Sequence, residues 1–201
     1  KSKIDGSLWS GSFVTVGIIH ETLGSKLAWK FLGSESIGSV RVLDLLYILI
    51  TKISLLFLIF EISKQVNIKN EYKIFFFILL SLIALNFISY NSNNFDLFSF
   101  REIPIILALF FFIKTLNSHS NLNYFLIGFL SVFVFFWSID RALILNLFIF
   151  FILFLLIYNK KYRKLFILFF SILFFWLIFY FFLNEEFILF INNTLLIIKE
   201  H

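Results

Sequence analysis

Cysteine is absent from the 201-residue chain, which rules out a disulfide framework and a thiolate metal site. Its three histidines, His20, His119 and His201, are scattered and form no zinc motif. Proline occurs once, at Pro104, and six of the seven glycines lie before residue 40. Within the apolar stretches that follow, Pro104 and Gly128 are the only helix breakers. Charge is sparse as well, at 14% of residues. The net charge of +5 is therefore read as a topology signal, and no nucleic-acid partner is expected.

Apolar residues fill the chain instead. They make up 61%, and the mean hydropathy is +0.98, against roughly 45–50% apolar for soluble domains. Long apolar runs recur from about Val40 onward. The polar surface is too small to cover them in water, so the expected fold is an all-α, polytopic transmembrane helical bundle. Helices are required because backbone polar groups in hydrocarbon must be satisfied within their own segment. The runs are too continuous for the alternating pattern of a membrane barrel. The 33 phenylalanines accompany many Ile, Asn and Lys residues, as an AT-rich genome would supply. Lipid-facing sites demand only apolarity, so they read as filler. The chain starts at Lys1 without a signal-peptide pattern and ends in mid-pattern at Lys199-Glu200-His201. A piece of a longer protein is expected, with an earlier helix upstream.

Six spans are predicted, over residues 41–60, 74–90, 103–116, 122–139, 142–158 and 165–183, with a partial span or interfacial helix over 187–198. Span 103–116 covers roughly 21 Å against a hydrocarbon core of about 30 Å. It is the weakest link in the topology. Connections on one side carry Lys64, Lys69, Lys73, Lys114, Lys160, Lys161, Arg163 and Lys164, and the other side carries only Arg101 and Arg141. The positive-inside rule makes the first set cytoplasmic. Residues 1–40 then form an external region with short interfacial helices such as "SKLAWKFLG", and residues 41–201 form the bundle. The expected location is a bacterial inner (plasma) membrane, with membrane lipids as neighbours.

On the outer side, Arg101-Glu102 directly precedes "IPIILALFFF" and Asp140-Arg141 directly precedes "ALILNLFIFF". Both pairs mark a helix N-terminus, where free N–H groups and a partial positive charge favour phosphate. Two readings stand. Arg101 and Arg141 bind a lipid phosphate with Glu102 and Asp140 in support, or Asp140 caps its helix and Arg141 snorkels to headgroups. Within the first span, Arg41 and Asp44 can pair three residues apart. Asp44 and Lys52 either face one polar cavity or make structural ion pairs with other helices.

An acidic residue in a structured outer loop, followed by many membrane helices, resembles the C-type glycosyltransferase superfamily. The stretch "KSKIDGSLWSGSF" looks like the start of that family's first external loop, with Asp5 as its key acid. "FSFREIPIILALFFFIK" is similar to helix starts among such bacterial proteins. The family's DxD is missing, since the acid stands as Ile4-Asp5-Gly6. The resemblance implies a polyprenyl-phosphate-linked sugar as donor. It also implies Asp5 as catalytic base, or as ligand of a divalent cation (Mg2+ or Mn2+), with Glu21 as the second catalytic candidate. The alternatives are another lipid-linked glycan enzyme of the O-antigen ligase or polymerase type, and a polytopic transporter using Asp44 and Lys52. No internal repeat supports the transporter.

Overall fold

The computed structural model describes residues 24–33, 35–67, 69–86, 100–117 and 120–200. Among these the regular structure is entirely helical. The helices are α1 (Gly24–Leu32), α2 (Ile37–Gln65), α3 (Asn70–Asn86), α4 (Ile103–Asn117), α5 (Asn121–Trp137), α6 (Ile139–Tyr158), α7 (Tyr162–Leu183) and α8 (Glu186–Glu200). A 3-10 turn over Phe100–Glu102 leads into α4.

A helix occupies each predicted span, residues 87–90 of the span 74–90 lying outside the described residues, but the limits differ for identifiable reasons. α2 starts four residues before the predicted 41 because Ser36 caps it, with Ser36 Oγ accepting from the Ser39 N–H at 3.2 Å. α2 continues past 60 through a polar turn in which Lys64 Nζ meets Glu61 Oε1 at 2.9 Å. Apolarity marks the greasy part of a helix, while capping and i,i+3 pairs set its true ends. The expected span 122–139 stops at Trp137, where Ser138 takes extended backbone and serves as N-cap residue of α6.

Three helices, α2, α6 and α7, are long and apolar enough to cross a membrane. α4 and α5 are apolar but shorter, as is the stretch Glu186–Leu196 of α8. At 17 residues, α5 spans roughly 26 Å. It is also the best-shielded helix, with ten of its residues buried, whereas α7 buries three of 22. Its faces pack on α4, α6 and α7 through Ile127, Leu130, Val134, Leu145, Ile149 and Leu168. α2 packs on the far side of α4 and carries α1 and α3, and α8 rests on α7.

Polar contacts hold this apolar assembly in register. Ser171 Oγ donates to Phe125 O at 2.7 Å, tying α7 to α5. Asn146 Nδ2 of α6 donates to Ser131 O of α5 and to Ala142 O, both at 2.9 Å. Such bonds between membrane helices are worth about 0.6–2 kcal/mol each. The tightest approach is at Gly128, where a Cβ would stand 2.5 Å from Ser171 Oγ and 2.6 Å from Ser171 Cβ. Outward faces are aromatic. Phe166, Phe170 and Phe174 stack along α7 at 6.1 Å spacing and are exposed, as lipid-facing residues would be.

Alternating helix direction sorts the charges. Gln65 Nε2 donates to Ile113 O at 3.5 Å, and Lys164 Nζ lies 5.5 Å from the Tyr124 ring centre. The end of α2, the last turns of α4 and the starts of α5 and α7 thus share one end of the bundle, with Lys64, Lys114 and the 159–164 turn. Arg101, Glu102, Asp140 and Arg141 lie at the other end.

Gly128→Ala is expected to lower the thermal midpoint in detergent. The collision with Ser171 costs about 1–3 kcal/mol, partly offset by a helical-propensity gain of about 1 kcal/mol. Adding Ser171→Gly removes the colliding atoms and should recover part of the loss. An unchanged midpoint in the single variant would show that the α5–α7 contact yields freely.

Candidate functional site

The two charged dipeptides singled out in the sequence meet in space. The Phe100–Glu102 turn brings Arg101 and Glu102 to the head of α4, against α2. The break at Ser138 brings Asp140 and Arg141 to the head of α6. Because α5 separates α4 from α6 in the chain and packs on both, their N-termini converge over its C-terminal end.

The pairing is crossed. Arg141 Nε lies 2.5 Å from Glu102 Oε1, and Arg141 Nη1 lies 3.2 Å from Asp140 Oδ2. Arg101 Nη1 approaches the same Asp140 oxygen at 3.7 Å. Ser138 Oγ donates to Asp140 Oδ1 at 2.5 Å. The Arg141 Nε is buried, and the Arg141 guanidinium holds Glu102 through both charge and hydrogen bonding. Two arginines and two carboxylates leave the cluster formally neutral. The partial positive charge of the two helix starts is added to that balance.

Beneath the charges lies an apolar floor of Tyr47, Ile103 and Trp137, with Leu43, Leu107 and Phe133 around it. The Tyr47 and Trp137 rings meet edge to face at 5.2 Å. This floor dries the lower side of the cluster. The Glu102 side chain is 13% exposed and that of Asp140 is 45% exposed. Burial pushes the Glu102 carboxyl above its ordinary range, and the Arg141 guanidinium only partly offsets this.

Two details differ from expectation. Asp140 is not the helix cap; it sits in the first turn of α6, after Ser138. Arg141 does not snorkel outward but turns onto Glu102 and Asp140, because those two carboxylates lie within reach of its fork. Asp44 and Lys52 are half-buried on α2 and are not part of the cluster. Arg41 is exposed. Asp5 and Glu21 lie outside the described residues. Among the described residues, no three His, Asp or Glu side chains gather to hold a metal ion. The sequence reading missed Ser138, Tyr47 and Trp137. Ser138 carried a usable signal, a serine between an apolar run and an acidic first turn. Nothing local announced that Tyr47 would pack on Trp137.

No protein-family model matches the chain, and neither the curated proteins nor the solved structures include a match.

Arg141→Gln leaves the shielded Glu102 carboxylate without its main counter-charge. A carboxyl whose folded pKa is raised adds stability below its unfolded pKa and loses it as pH rises through the folded value. The variant raises that folded pKa further. Its deficit against the parent should therefore be small near pH 4.5 and grow to about 1–3 kcal/mol by pH 8. Thermal midpoints in detergent across this range would check it, and a deficit independent of pH would show that Glu102 does not depend on Arg141.

Proposed function

We propose that the chain is the membrane core of an integral membrane glycosyltransferase. It moves a sugar from a polyprenyl-phosphate donor to an acceptor at the outer face. The observation that supports this best is the Arg101-Glu102-Asp140-Arg141 cluster, at the end of the bundle opposite the lysine-rich turns. The positive-inside rule assigns the lysine-rich end to the cytoplasm and the cluster to the outer leaflet, where a lipid-linked phosphate would sit. On this reading all six predicted spans cross. Of the three shorter helices, α3, α4 and α5, the last two do so against protein rather than lipid, which relieves their mismatch.

In the transfer, the bond between sugar C1 and the phosphate oxygen breaks, and its electron pair leaves with the phosphate. A bond forms from an acceptor oxygen or nitrogen to C1, and the acceptor proton passes to a carboxylate. Arg101 and Arg141, at two helix starts, meet the growing phosphate charge. They do so by exchanging Asp140 or Glu102 for the phosphate oxygens, a bidentate acceptor of the same geometry. Asp5 is the base that the family resemblance supplies, and it would hold a divalent cation if one is used. Glu102 is supported as a second proton acceptor by its buried position.

Two measurements test this. A polyprenyl monophosphate should bind the detergent-solubilised protein at least tenfold more tightly than the corresponding uncharged polyprenol, and Arg101→Gln should remove most of that difference. Equal affinity for phosphate and alcohol would sink the site. Sidedness is checked with single cysteines, since the parent has none. Glu185→Cys should react with an impermeant thiol reagent in intact cells, and Lys161→Cys only after permeabilisation. Both positions are exposed. The reverse pattern would place the cluster at the cytoplasmic face.

A further inference from the structure

A groove of about 570 Å³ runs between α6 and α7, lined by Phe150, Phe154, Ile157, Tyr162, Phe166 and Phe169 among others. It exists because these two helices, although consecutive, touch each other less than each touches α5. From Ile157 to Phe150 it extends roughly 10 Å along α6. Its walls are almost wholly apolar side chain, so it suits a hydrocarbon chain rather than a polar solute.

The turn Asn159-Lys160-Lys161 lies between Ile157 and Tyr162, two residues that line the groove. There the Lys161 N–H donates to Leu156 O and the Lys160 N–H to Ile157 O, both at 2.9 Å. These two bonds make a Schellman motif, with Lys160 in the left-handed position at φ 54°. Glycine occupies that position with least strain, yet here it carries a cation. Lys160, Lys161 and Arg163 are all exposed, and none has an ion pair among the described residues. Lys164 turns inward onto Tyr124. Three unneutralised cations therefore stand in the chain beside Ile157 and Tyr162, at one end of an apolar groove.

We infer that this turn and groove form a binding site for one anionic glycerophospholipid, its phosphate on Lys160, Lys161 and Arg163 and an acyl chain between α6 and α7. Basic clusters at the ends of membrane helices attract anionic headgroups. The groove adds a fixed place for the chain, which a surface polybasic patch lacks. The site is separate from the Arg101–Arg141 cluster, at the other end of the bundle, and does not rest on the glycosyltransferase reading.

The test uses the full chain in phosphatidylcholine nanodiscs with trace spin-labelled phosphatidylglycerol or phosphatidylcholine. The motionally restricted fraction should favour phosphatidylglycerol about fivefold. Lys160→Gly, Lys161→Gln and Arg163→Gln together should bring that ratio to near one, while Arg41→Gln, an exposed cation at the other end of the bundle, leaves it unchanged. Lys160→Gly alone should lower the ratio without lowering the thermal midpoint, because it relieves the strained turn. Ile157→Trp, which fills the groove, should also lower it with the charges intact. No preference in the parent would overturn the site, as would a preference that survives the triple variant. Displacement by millimolar glycerol phosphate would place recognition on the headgroup alone and overturn the role of the groove.

Discussion

The close approach of α5 to α7 at Gly128 and Ser171 is the constraint on which the rest of the bundle depends. A glycine facing a serine lets two helices meet nearly backbone to backbone, and the serine hydroxyl then bonds across to Phe125 O. With α5 drawn in this way, α4 and α6 close over its remaining faces. A helix too short to match the lipid becomes one that meets little lipid. The same closure fixes where α4 and α6 begin, and so determines that Arg101 and Arg141 are neighbours.

The charged cluster and the lysine-rich turns use the same residue types under different dielectric conditions. At Glu102 the floor of Tyr47, Ile103 and Trp137 removes water, so each charge needs its partner and burial pushes the carboxyl above its ordinary range. At Lys160 and Lys161 the side chains stand free of protein and keep their charge available to the surroundings. One end of the bundle is internally compensated and the other is not. That asymmetry, rather than total charge, gives the molecule a direction.

Much of the helical layout was legible in the sequence because an apolar run in this chain has only one way to satisfy its backbone. α4, α7 and α8 begin and end within a few residues of where the runs do. α2 outran its prediction at both ends, since Ser36 and the Glu61–Lys64 pair extend a helix without adding apolarity. Each half of the cluster was legible as a charged helix start. Their crossed pairing was not, because Arg141 reaches Glu102 through a meeting of helices that no local spacing encodes. The apolar floor was hidden for a related reason. In a chain with 33 phenylalanines, one more aromatic contact does not stand out from the background.

The crossed pairing also bears on how a relative of this chain would be recognised. The aromatic faces of α6 and α7 accept any apolar residue, so ancestry leaves little trace there. The cluster behaves as a closed loop of mutual dependence. Reversing the order of one dipeptide is tolerable only if the other, 39 positions away, reverses with it. What sets this end of the bundle is thus a relation between two distant dipeptides, and not any contiguous stretch of the chain.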